Sequence, residues 1–228
     1  MENTKEIIRK LAHEYNKEEF FVGDPIVFPK IFFKKSAPIQ DIEIAGIIAA
    51  HLAWGRRDMI LRDCTRAFDE MEWQPYKYVM AGKYKDDDTS LHRTIKWSEF
   101  AAICGRIKDI YSSVDSIEHL SDADIRVKIF GQKEDRKAPN KKINMMRRWM
   151  VRDDGKVDLG LWKNTDKKEL ILPLDVHVYA QATALGLTGR RQKDIVTAQE
   201  ITDAFREIFP QDPCLGDFAL FGYGVTQK

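Results

Sequence analysis

The chain has 228 residues, 43% hydrophobic and 32% charged, with a formal net charge of +1. That length can bury roughly 70% of the unfolded surface without metals or disulfides, and the composition excludes both a disordered chain and a membrane-spanning one. No apolar run approaches the roughly 20 residues of a transmembrane helix, and MENTKEIIRKLAHEY carries charges where a signal peptide needs its apolar stretch, so a cytoplasmic protein is expected.

Cys64, Cys104 and Cys214 lie far apart with no Cys-x-x-Cys, so neither a disulfide framework nor a four-cysteine metal site can be built, and small buried residues are expected. The near-neutral sum hides an uneven distribution. Between Lys133 and Arg152 there are eight basic residues against two acidic ones, while Asp86, Asp87 and Asp88 form an acidic cluster.

Helical periodicity opens the chain, with Ile7, Ile8, Leu11 and Tyr15 on one stripe. The proline-bearing segment GDPIVFPKIFFKKSAP reads as a loop, and IEIAGIIAAHLAWG after Asp41 as a buried helix stopped at Gly55. An amphipathic helix is predicted over 56–71, a short one over 75–84, and another over 97–114. Ser121 opens a short helix through Ile129, and a polar, basic loop follows from Gly131 to Asn140.

KKINMMRRWMVR then places Ile143, Met146, Trp149 and Met150 on one face, with Lys142 and the arginines largely on the others, so this helix should carry the basic patch. A turn-rich stretch, RDDGKVDLGLWKNTDKKEL, should be pinned by Leu159 and Trp162. Asp175 sits at the first turn of the helix VHVYAQATALGL, ended by Gly186. A helix over 195–208 and a short apolar one in DFALFGYGV close the chain. No period-two strand or internal repeat appears, so the class is all-α.

A carboxylate at a helix N-terminus accepts backbone hydrogen bonds, is held ionised, and can stabilise developing positive charge, although plain capping is the commoner role for a residue placed like Asp175. An amine such as Lys141 or Lys142 can contact phosphate, or act as a nucleophile where its surroundings lower its pKa. His51 fits either a polar probe at the end of the buried helix or a satisfied core histidine, and Trp54 either a base-stacking ring or core. Asp175-x-His177 lacks a third ligand at recognisable spacing, so no metal and no cofactor are expected.

Together, KKINMMRRWM and LPLDVHVYAQATALGL resemble the paired elements of the helix-hairpin-helix DNA glycosylase superfamily of base-excision repair. In its endonuclease III branch a catalytic lysine begins a helix with asparagine three residues on, and an aspartate opens a later helix; Lys141 with Asn144, and Leu174-Asp175-Val176-His177-Val178, match these positions. Lys142 is adjacent, and a one-residue shift exchanges the two lysines. The chain is also similar to archaeal 8-oxoguanine glycosylases, and through LAWGRRDMI, KKINMMRRWMVR, DLGLW, LPLDVHV and DFALFGYGV it resembles a bacterial family carried as a domain of unknown function.

The resemblance implies a two-lobed helical fold, with about 41–130 mainly in one lobe and 1–40 plus 131–228 in the other. It implies a monomeric, nucleoid-associated glycosylase, with or without a second, lyase activity, acting on double-stranded DNA that carries a damaged base. Lys141 would attack the sugar C1′ and Asp175 would stabilise the positive charge. Lys142, Arg147 and Arg148 would hold phosphates, His51 would fill the gap left by the flipped base, and Trp54, Met145 and Tyr223 would approach the base pocket. The glycine-rich turn that precedes the lysine in the superfamily is replaced here by Asp135-Arg136-Lys137-Ala138-Pro139-Asn140, so Arg136 and Lys137 are expected to contact phosphate with their side chains. That replacement also leaves open a binding module that kept the fold without the chemistry, or a helical protein in which Asp175 merely caps its helix.

Overall fold

A computed structural model describes residues 2–226. The described residues form α1 (Glu2–Tyr15), α2 (Val27–Lys34), α3 (Ile39–Leu52), α4 (Arg57–Glu70), α5 (Pro75–Ala81) and α6 (Trp97–Tyr111). After them come α7 (Asp122–Asp124), α8 (Lys141–Val151), α9 (Val176–Ala184), α10 (Ile195–Arg206) and α11 (Gly216–Thr226). The fold is therefore mainly helical, and no described helix is long and apolar enough to cross a membrane.

The chain divides into two compact units. Val22–Glu134 is one; the chain up to Phe21 and from Asp135 onward is the other. The sequence places the change near 41 and 131, whereas the division falls at 22 and 135 because α2 packs on α3.

Within Val22–Glu134, α3 is apolar nearly all round and runs through the interior, with Ile44, Ala45, Ile47 and Leu52 fully buried. Its one interior acid, Glu43, is satisfied: Tyr111 Oη donates to it at 2.7 Å, Ser116 Oγ at 2.6 Å and the Ile117 N–H at 3.2 Å. Phe28, Phe68 and Trp73 of the same unit stack on one another, with the Phe28 and Phe68 centroids 5.2 Å apart. Ser121 and Asp124 close the reciprocal cap that starts α7, and a π-helical stretch, Ile125–Ile129, continues it.

In the other unit α1 lies along α11, and Ile8, Ala12, Leu172, Ala198, Ile201 and Phe205 are buried in the shared core. The approach of α1 and α11 is close enough that a Cβ at Gly222 would sit 2.2 Å from the Tyr15 ring. Glycine is needed there because the alternative is interpenetration of a ring.

Two elements differ from expectation. The segment predicted as a loop contains α2, whose Pro29 stands in the first turn, where a missing N–H costs no intrahelical bond. Ser90–His92 and Ile95–Lys96 pair as a two-stranded hairpin, too short for a period-two pattern to register. The three cysteines are buried as expected.

Candidate functional site

Asp175 is the N-cap of α9: one carboxylate oxygen accepts from the His177 and Val178 N–H groups, each at 2.9 Å. Leu172 and Leu174 anchor the preceding strand of chain in the core, which leaves Asp175 half-buried and its second oxygen outside the cap.

The start of α8 is built differently. Asn140 adopts a left-handed conformation (φ 45°), and Asn144, 2% exposed, donates from Nδ2 to the Pro139 carbonyl at 3.0 Å, tying the entering loop to the first turn. Lys141 and Lys142 follow, both half-buried. Burial pushes the Lys142 ammonium down to about 8, and the charge of Lys141 pushes in the same direction.

Further along, two basic residues of this segment, Arg148 and Arg152, turn into the interior. Arg148 is 5% exposed and its guanidinium is paired with Asp217 at the start of α11 and, at 3.4 Å, with Asp158 in the turn-rich stretch. Arg148 is therefore corrected from a phosphate contact to an interior ion pair. Arg152 is fully buried and binds Asp212 through Nε at 2.9 Å and Nη2 at 2.8 Å, with Asp158 and Asp154 completing its shell. Burial opposes the Arg152 charge, but these carboxylates outweigh it and hold the guanidinium well above its usual value. Burial pushes the Asp217 carboxyl upward, Arg148 opposes it, and the charge of Asp175 pushes it further up.

The remaining residues expected at a site are distributed as follows. Arg136 and Lys137 are exposed in the loop before α8, and the Lys137 N–H donates to Asp135 Oδ1 at 2.8 Å. Arg147 is half-buried with its guanidinium 5.8 Å from the Trp162 ring. Met145 is 9% exposed, too enclosed to offer a face to a base, and is corrected to a core residue. Tyr223 is half-buried against the core cluster, and Phe221 packs 5.2 Å from Phe21.

His51 and Trp54 belong to the Val22–Glu134 unit. His51 stacks on Phe130 at 5.1 Å. Trp54 is half-buried and covered on one face by Arg93, 4.4 Å from the ring centre, so that face is closed to a base. Beneath it His92, fully buried, faces Asp63 Oδ2 with Nδ1 at 2.8 Å and the Trp54 carbonyl with Nε2 at 2.9 Å. Burial works to raise the Asp63 carboxyl, but hydrogen bonds from Arg62, His92 and Arg66 prevail and hold it down.

Residue-by-residue reading missed Asp158, Asp212 and Asp217 as partners of the α8 arginines. DLGLW and DFALFGYGV stand out in the sequence as blocks, but a block does not say which aspartate meets which arginine.

A mainly helical protein in two units is thereby defined, with a lysine pair opening one helix, an aspartate capping another, and a buried arginine–aspartate network in the same unit. The chain belongs to the family described as a protein of unknown function (DUF2400), whose model matches residues 24–129 and 122–226. No curated protein and no solved structure matches the chain.

Proposed function

We propose that the protein is a DNA glycosylase with lyase activity, of the helix-hairpin-helix kind that its Lys141 and Asp175 segments resemble, acting on a damaged base in duplex DNA. The carrying observation is the lysine pair at the start of α8, in the same unit as the capped carboxylate of Asp175. With a pKa near 8 Lys142 is about one-tenth uncharged at neutral pH, enough to serve as a nucleophile. Of the two lysines it is the one that burial prepares for this role, and Lys141 prepares it further by repulsion.

In this reading the neutral amine of Lys142 attacks C1′ while the damaged base departs with a proton. The lone pair of the lysine nitrogen then expels O4′ from C1′, O4′ takes up the second proton of the amine, and a Schiff base is left between lysine and sugar. Asp175 has one oxygen committed to backbone N–H groups, which fixes the carboxylate; the other is left to face positive charge at C1′.

Borohydride reduction tests this directly, since it converts the Schiff base to a stable amine joining protein and DNA. Purified protein on duplexes bearing 8-oxoguanine, an oxidised pyrimidine, uracil or an abasic site should give a covalent adduct, lost in Lys142→Gln and retained in Lys141→Gln. Asp175→Asn should slow base release while duplex binding persists. Binding without an adduct or base release on any duplex would replace the enzyme with a non-catalytic nucleic-acid-binding module.

A further inference from the structure

Two loops of the unit formed by α1 and α8–α11 carry exposed cations, and the fold brings them side by side. The first holds Arg136 and Lys137, before α8; the second holds Arg191 and Lys193, between α9 and α10; all four are exposed. They are joined where the Ile195 N–H, at the start of α10, donates to the Lys137 carbonyl at 3.0 Å. That bond bridges more than fifty residues of chain and lies two residues from Lys193, so it fixes both loops on one stretch of surface.

The acids of these loops are Glu134, Asp135 and Asp194. Asp135 accepts the Lys137 N–H at 2.8 Å. Asp194 accepts the Thr197 N–H at 2.9 Å to cap α10 and pairs with Arg190 at 3.0 Å. Arg190 also donates to Thr197 Oγ1 at 2.9 Å, which holds the base of the second loop. The crest of that loop is open: a Cβ added at Gly186 or Gly189 would meet nothing within 4 Å. The Lys193 ammonium lies 5.0 Å from the Tyr179 ring centre, a cation–π contact that positions it while the residue stays exposed.

We infer that these two loops form one phosphate-tracking surface, on which Arg136, Lys137, Arg191 and Lys193 hold the sugar–phosphate backbone of a nucleic-acid duplex. The occupant follows from charge complementarity: over 133–137 and 190–194 the two joined loops carry six cations against three acids, an excess that matches a polyanion. The surface supplies affinity and no sequence information, because arginine and lysine on phosphate do not read bases. It rests on the nucleic-acid reading above and gives it a binding face that the interior arginines of α8 do not provide.

The test is the salt dependence of binding to a fluorescein-labelled undamaged duplex, followed by anisotropy between about 50 and 200 mM salt. Each phosphate contact contributes roughly 0.9 to the slope of log Kobs against log salt, so Arg191→Gln with Lys193→Gln should make the slope shallower by about 2. Arg136→Gln with Lys137→Gln should do the same. Lys163→Gln with Lys168→Gln removes equal charge from exposed positions of the same unit and should leave the slope near wild type, with circular dichroism confirming that every variant is folded. A wild-type slope in the Arg191/Lys193 variant, or an equal loss in the Lys163/Lys168 variant, overturns the surface. Borohydride trapping on Lys142 is scored separately, so the surface can fail while the glycosylase reading stands. Absence of salt-dependent duplex binding by the wild type overturns the surface.

Discussion

Arg148 and Asp217 are 69 residues apart in the chain and form a direct ion pair, their side chains 6% and 13% exposed. The pair joins the last turn of α8 to the first turn of α11, and Asp158 sits on the other side of the same guanidinium. A residue that reads on a helical wheel as part of a solvated basic face is thus an interior strut.

Breaking that strut from one side should be costly. Asp217→Ala leaves a buried guanidinium with Asp158 as its remaining carboxylate at that end, and loss of one partner of a buried pair costs about 3–5 kcal/mol. The urea midpoint of Asp217→Ala should fall accordingly, with the m-value unchanged. A midpoint equal to wild type would show that Arg148 is hydrated after all.

The Lys142 ammonium gives a pH signature. Its folded value is about 8 against an unfolded value of 10.5, so the unfolded chain binds the proton more tightly and wild-type stability rises as pH climbs between those values. Lys142→Met, which keeps the stem and removes the charge, should therefore be more stable than wild type near pH 7. The advantage should shrink from about pH 8 and vanish above about pH 10.5. Thermal melts across that range decide it, and a constant difference between the two proteins counts against a buried ammonium. In the proposed reaction, adduct yield should rise through the same midpoint near 8.

Gly222 sets how closely α1 and α11 approach. A methyl group there meets Tyr15 ring carbons at 2.2 and 2.7 Å, so Gly222→Ala should cost about 1–3 kcal/mol by overpacking. Gly189→Ala, where a Cβ meets nothing within 4 Å, should change stability by less than about 0.5 kcal/mol. Equal denaturation midpoints for the two variants would remove the packing argument.

Glu43 is the corresponding polar anchor of the Val22–Glu134 unit. Glu43→Ala strips the acceptor from the Tyr111 hydroxyl, Ser116 and the Ile117 N–H together, and each orphaned buried group costs about 1–3 kcal/mol. Burial, together with the Glu43 charge, already holds the Tyr111 hydroxyl well above its usual value. A tyrosine absorbance titration of folded wild type should accordingly keep Tyr111 protonated well above the ordinary tyrosine range, until the protein unfolds.

The sequence by itself determined most of the helices. Apolar spacing marks α1, α4 and α6, the near-continuous apolar run marks α3 as interior, and Leu-Pro-Leu-Asp marks the start of α9 with Asp175 as its cap. These are local properties: periodicity and capping act over one or two turns, so they are written in consecutive residues. Tertiary structure alone decided that Arg148 and Arg152 turn inward, since their carboxylates come from a turn without regular structure and from the far end of the chain. It likewise decided that burial pushes the Lys142 ammonium down, because what folds over a side chain is not written in the residues beside it. The meeting of the 136–137 and 191–193 loops has the same origin. A single backbone hydrogen bond between distant segments leaves no periodic trace in either, yet it settles which charges share a surface.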